Sequence, residues 1–320
     1  MKSSEHELLL PPVEEENICL PLSINAVSKY WNVDLPLSEA IEIAKKYPNV
    51  NGSILIEGIE IAERHGLGSS ILHSSISELK KIIDMGIPPI VILPGLHDII
   101  QHASVISGYD DGEKTIIHYI PQQHKEDQFQ IGVIPEKKFD SLWEEDGRLM
   151  IILAPLDILS EIKIGDKKLD KSNRLCFVSE RLNIQRKSDE AIQSLKKAIE
   201  IDNKNSTAFA LLGGILNEQN SPECIKYYEK SIAINDRCYL AYRGLGNYYL
   251  KNKQYDKAEQ YYTKAIEINP TRFGPIHKNR GLARLEQKKT IEAKQDFENY
   301  LKYTPNAKDK QSILQALREF

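Results

Sequence analysis

Cys19 stands at the head of an apolar helical pattern, followed by Leu20, Pro21 and Leu22, and proline suits the first turn of a helix. A thiol at a helix N-terminus meets unpaired amides and the positive end of the helix dipole, which favour the nucleophilic thiolate. Far along the chain His102 opens an apolar strand pattern that runs to Asp111. An imidazole carried by folding to that thiol would act as its base, which is the pairing that nucleophilic acyl transfer requires. The plainer alternative stays open: a buried helix cysteine and a histidine capping a strand. Among the remaining candidates, His65, His73, His97 and His124 are scattered without ligand spacing, and Cys176, Cys224 and Cys238 are not paired in sequence. No metal site, disulfide framework or glycine-rich phosphate loop is expected, and no cofactor.

These two residues depend on the elements around them. Helical patterns cover Leu22 to Trp31, Leu37 to Lys46, Ile54 to His65 and Ile76 to Met85. Short β-rich runs follow at Pro89 to Leu93, Ala103 to Ser107, Thr115 to Ile120 and Met150 to Leu153, separated by Gly, Pro and Asp turns. Helices followed by a sheet predict an α+β domain. The charged stretch Glu161 to Lys171, with Gly165 inside it, reads as a linker. The expected division is a first domain at 1–157, a linker at 158–170 and a second domain at 171–320.

The order of elements in the first domain resembles the papain-like bacteriocin-processing cysteine peptidases, peptidase family thirty-nine. The resemblance rests on Cys19 at the head of the first helix, on Tyr30, Trp31 and Asn32 at its end, and on Leu79 to Gly86 leading into Ile87, Pro88, Pro89, Ile90 and Val91. It continues with His102 on a strand ending in Gly108, Tyr109 and Asp110, then Phe139, Trp143 and Met150 to Pro155. It implies a papain-like fold with Cys19 as nucleophile and His102 as base. Three departures stand against turnover. Leu20 follows the cysteine where the family has Gly. Val13, Glu14, Glu15, Glu16 and Asn17 occupy the stretch where the family places an oxyanion-stabilising Gln, and a carboxylate there repels a developing oxyanion. Ile120 precedes Pro121 where the family has the orienting Asp, while alternation puts Ile116, His118 and Ile120 on one strand face. A degenerate domain is expected; an active cysteine peptidase or amidase is the alternative.

The second half repeats. Ala191, Cys224, Ala258 and Ala293 sit in near-identical contexts about 33 to 35 residues apart. The third copy has Tyr242, Leu245, Gly246, Tyr249, Tyr255, Ala258, Tyr262, Ala265 and Pro270. Small residues stand where two helices approach closely, bulky ones fill the space between, and proline ends the second helix. This pattern resembles the tetratricopeptide repeat. Four copies are expected, closed by a capping helix with Ile313, Leu314, Leu317 and Phe320 at helical spacing. The resemblance implies an all-α superhelix whose groove holds a protein or peptide partner. Arg243, Asn247, Lys278 and Asn279 occupy places similar to those that clamp a carboxylate in such domains; the plainer reading of these residues is an ordinary solvated helix face.

The 320 residues are 41% hydrophobic and 28% charged, with 42 Lys and Arg against 46 Asp and Glu. A formal charge of −4 offers no broad positive field for a nucleic-acid backbone. The polar, acidic start and the lack of a long apolar run lead to an expectation of no secretory leader, no membrane span and a cytoplasmic location. The preferred function is partner recruitment by the repeats, with a peptidase-like first domain; a plain scaffold is the third possibility.

Overall fold

A computed structural model describes residues 19–47, 53–94, 101–120, 130–163 and 167–319. Val13 to Asn17, His97, Pro121, His124, Gly165 and Phe320, which the sequence reading uses, lie outside the described residues. Contact density divides the chain into two units, one reaching residue 205 and the other beginning at 206.

In chain order the first unit contains helices α1 (Cys19–Tyr30), α2 (Leu37–Lys45) and α3 (Leu55–Arg64), strand β1 (Gly68–His73) and helix α4 (Ile76–Asp84). Strands β2 (Ile90–Pro94), β3 (Gln101–Asp110), β4 (Thr115–Ile120) and β5 (Gln130–Pro135) follow, then α5 (Glu136–Glu144), β6 (Leu149–Ala154), α6 (Leu156–Glu161), α7 (Lys167–Ile184) and α8 (Ser188–Ile201). The helix and strand runs read from the sequence are present, each shifted by a few residues at most. β1, β5, α5 and α6 are additions.

The strands form one sheet in the order β1-β6-β2-β3-β4-β5. β6 runs antiparallel to both β1 and β2, and β4 runs antiparallel to both β3 and β5. All six residues of β6 are buried, as a near-continuous apolar run predicts for a strand covered on both faces. One core joins Leu79, Ile82 and Ile83 of α4 and Phe139 and Trp143 of α5 to Val91, Ile106, Ile116 and Ile152 of the sheet. α4 starts on a serine N-cap, with the Glu78 amide donating to Ser75 Oγ and that hydroxyl donating to Glu78 Oε2. α1 packs along β3, with Ser23 Oγ donating to the Ala103 carbonyl at 3.4 Å.

β1 is an edge strand, and α7 covers its open side. The Ile71 amide donates to Asp170 Oδ1 at 3.0 Å, and Asn173 Nδ2 donates to the Ile71 carbonyl at 2.7 Å. Two side chains thus supply the hydrogen bonds that a further strand would have made. Ion pairs extend the junction, from Arg174 to Glu63 at 2.6 Å and from Arg181 to Glu60 at 2.6 Å. The division therefore differs from the one expected at 158–170. α6 and the start of α7 occupy most of that stretch, and the first repeat, α7 with α8, belongs to the same compact unit as the sheet. Asp170, Asn173, Arg174 and Arg181 read as solvated polar residues in sequence, whereas in the fold they satisfy β1 and α3.

The second unit contains three helix pairs, α9 (Ser206–Glu218) with α10 (Cys224–Ile234), α11 (Tyr239–Lys251) with α12 (Tyr255–Ile268), and α13 (Pro275–Glu286) with α14 (Thr290–Tyr303). α15 (Lys310–Glu319) packs on α14 as the closing helix. Close approach within a pair depends on glycine: a Cβ built on Gly246 lies 2.5 Å from the Tyr262 ring, and one on Gly213 lies 2.8 Å from that of Tyr228. Tyr262 is fully buried and has no room to yield. Gly246→Ala is expected to lower stability by about 1 to 3 kcal/mol through overpacking, more than the roughly 1 kcal/mol that alanine adds in helix propensity. A thermal melt of the variant that matches or exceeds the parent would contradict this.

Candidate functional site

Cys19 is the first residue of α1 and is partly exposed. Burial pushes its thiol pKa up, against the opposing pull of the Ala103, Leu20 and Cys19 backbone amides. The helix-head position therefore does act on the sulfur as dipole reasoning expects, but desolvation of a charged thiolate outweighs it. Burial holds His102 below the usual imidazole value. A thiolate–imidazolium pair requires the reverse on both sides, a lowered thiol and a raised imidazole. At neutral pH these directions favour a neutral thiol and a neutral ring.

The sheet sets what surrounds His102. Alternation puts His102, Ser104 and Ile106 on one face of β3, and His118 of β4 lies directly opposite Ile106. Burial, together with the charge of His102, pushes His118 down to about 4. Ser104 Oγ lies 3.0 Å from His118 Nδ1 and donates to the Tyr119 carbonyl at 3.2 Å. Ser104 thus ties the His118 ring at Nδ1 to the backbone of Tyr119. Alternation in the sequence indicated that His118 lies on the strand near the site, and the buried serine that orients it was not read there.

The repeat residues have different partners from those a four-residue clamp implies. α9, α11 and α13 are neighbours in the second unit. Arg243 on α11 is half-buried, with its guanidinium 4.9 Å from the centre of the Phe273 ring. Asn247 Oδ1 accepts from Tyr262 Oη at 2.7 Å and from Asn279 Nδ2 at 3.3 Å. Lys278 on α13 donates to Asp309 Oδ2 at 2.8 Å, with its ammonium 5.0 Å from the centre of the Tyr300 ring. Phe273 and Asp309 lie in loops outside the helix pairs, while Tyr300 stands at the repeat position that Ala265 holds in the copy before.

Other candidates take structural roles. Cys176, Cys224 and Cys238 are buried free thiols, and burial raises the pKa of Cys176 and that of Cys224, the latter to about 11. His73 is half-buried, with Nδ1 2.6 Å from the Gly147 carbonyl. Among the described residues no group of three or more His, Cys, Asp and Glu side chains is placed to hold a metal ion, and no helix is long and apolar enough to cross a membrane.

Comparison with known proteins matches residues 184–205 and 239–272 to tetratricopeptide-repeat family models. The chain carries tetratricopeptide repeats. No cysteine-peptidase family model of the expected kind matches. Anaphase-promoting complex subunit 3 of Schizosaccharomyces pombe is 32% identical over 96 residues, which is 30% of this chain and 14% of that protein. Type IV pilus assembly protein PilF of Pseudomonas aeruginosa is 28% identical over 124 residues, 37% of this chain and 48% of that protein. The match thus spans at most about half the length of either relative. The solved structure of Pseudomonas aeruginosa PilF superposes with a TM-score of 0.44 at 24% identity, covering 48% of this chain and 72% of that one.

Proposed function

We propose that this chain is a protein-binding adaptor whose tetratricopeptide repeats recruit a protein or peptide partner and whose first domain is a degenerate papain-like cysteine-peptidase domain. The family matches at 184–205 and 239–272 support an interaction role for the repeats. The peptidase-like reading draws support from α1, which begins at Cys19 and packs along the strand that carries His102. Loss of turnover rests on one observation: the thiol is raised and the imidazole lowered, so the nucleophile and its base are each held in the uncharged form. Four free cysteines fit a reducing, cytoplasmic location.

The test uses the full chain. Because the folded thiol pKa is raised, thiolate forms only above the ordinary cysteine value of about 8.5. Alkylation of Cys19 by iodoacetamide at pH 7.5 is expected to run more slowly than that of a free thiol, and to accelerate as the pH is raised further, as thiolate supply controls the rate. A fluorogenic peptide pool is expected to show no hydrolysis that Cys19→Ala removes. Hydrolysis that disappears in Cys19→Ala and in His102→Ala would instead establish the cysteine peptidase or amidase.

A further inference from the structure

We infer that the helix pair α9 and α10 carries a binding site of its own, on the exposed side of α10, for a small ligand that joins a flat aromatic ring to an anionic group. The inference goes beyond the partner-binding reading and does not depend on it, since the groove residues Arg243 and Lys278 belong to α11 and α13.

A cleft of about 410 Å³ opens there, lined by Phe209 of α9 and by Lys226, Tyr227, Glu229, Lys230 and Ala233 of α10. That volume is within the range of small-molecule sites. Phe209 is buried and Tyr227 half-buried, with ring centres 6.4 Å apart and planes tilted by 31°. Such a pair offers a further ring an offset or edge contact. Lys226 and Lys230 are exposed and one turn apart on α10, where like charges repel. Among the described residues neither has a carboxylate partner, and the Lys226 ammonium lies 5.8 Å from the centre of the Tyr227 ring. The acidic residue of the wall, Glu229, acts on Tyr249 and Tyr261 of the next helix pair. Helical spacing sets it about 60° to one side of Lys226, while Tyr227 stands about 100° to the other. The cations therefore stand beside the rings, and Glu229 bounds the cleft on the far side.

The third helix pair shows what closes such a cleft. Counted from Cys224 and Ala258, the residues Tyr261, Lys264 and Glu267 hold the places of Tyr227, Lys230 and Ala233. Counted from Gly213 and Gly246, Tyr249 holds the place of Leu216. Tyr261 is stacked on Tyr249, with ring centres 5.4 Å apart and planes 5° apart, and Lys264 donates to Glu267 Oε2 at 2.9 Å. The second pair lacks both closures. Leu216 has no ring to stack, and Ala233 supplies no carboxylate and leaves open the space that a glutamate would take. An aromatic anion brings the two missing parts in one molecule, a ring for Tyr227 and a negative charge for Lys230.

The anion can be a carboxylate or a phosphate, and the binding experiment separates them. Isothermal titration calorimetry on the full chain would use naphthoate with its neutral counterpart naphthamide, and adenosine monophosphate with its neutral counterpart adenosine. At least one anion is expected to bind about fivefold or more tightly than its counterpart, which is what exposed ion pairs supply. Which of the two does so identifies the source. Ala233→Glu sets at this place the carboxylate that the third pair carries, and is expected to remove that preference. Ala233→Trp fills the cleft and is expected to weaken the anion about tenfold or more by exclusion. Ala233 is exposed, so both changes leave the core intact. Should a thermal melt show that either variant is destabilised, Lys230→Gln carries the test and is expected to remove the preference as Ala233→Glu does. Equal binding of each anion and its counterpart, unchanged anion binding in these variants, or no binding of any of the four compounds at millimolar concentration overturns the site. None of these results bears on partner binding in the groove.

Discussion

Replacing Asp296 with alanine is expected to destabilise the last repeat by about 3 kcal/mol, because it strands two guanidinium groups that share one buried carboxylate. Asp296 on α14 is fully buried and accepts from Arg280 at 2.6 Å and from Arg284 at 2.9 Å. His277 Nδ1 lies 3.9 Å away, while His277 Nε2 lies 2.8 Å from the Pro270 carbonyl. Arg284 continues the network to Glu259 of α12 at 2.9 Å, so the cluster ties the third repeat to the fourth. The expected cost sits at the lower end for a broken buried pair because Arg280 and Arg284 retain an exposed edge. Burial alone would raise the Asp296 carboxyl; His277, Arg280 and Arg284 outweigh it and hold it below the usual range. A depressed carboxylate contributes stability above its unfolded pKa of about 3.9 and loses it as pH falls through the lower folded value. Hydrogen exchange on α13 and α14 checks both claims. Unchanged protection in Asp296→Ala, or protection that rises as pH drops below 4, would contradict them.

Trp143→Ala is expected to have the largest effect in the first unit, roughly 3 to 5 kcal/mol. The indole is fully buried between α4, α5 and the sheet, and its ring lies 5.4 Å from that of Phe139. Its Nε1 also donates to the Leu149 carbonyl at 2.8 Å, so truncation removes that donor as well as leaving a cavity. Trp143→Phe keeps most of the volume but not the N–H, and should cost less. Denaturant unfolding of both variants gives the comparison; equal losses would mean that the hydrogen bond, and not packing, dominates.

Much of this architecture is visible in short stretches of chain. The repeat period, the glycines and alanines at helix crossings and the tyrosines between them are local, because each repeat solves the same packing problem within about 34 residues. Cys19 at a helix head and His102 on a strand are local as well. β1 was harder to see: Gly68, Ser69 and Ser70 give it no apolar alternation, and its partners, Leu149 to Ala154 on one side and Asp170 and Asn173 on the other, are distant in sequence.

The repeated helix pairs, the α+β character of the first half and the residue types available for chemistry follow from hydrophobic period and turn chemistry, which depend on neighbours along the chain. How those residues behave depends on contacts made by folding. A helix dipole favours the Cys19 thiolate in isolation, but the packing of α1 on β3 adds a desolvation cost that is larger. Arg243 and Lys278 are interchangeable as positive charges on a helix, yet Asp309 neutralises one and the Phe273 ring underlies the other. Ion pairing and desolvation depend on groups brought together from distant parts of the chain, so the charge state and availability of a side chain follow from the fold and not from its place in a repeat.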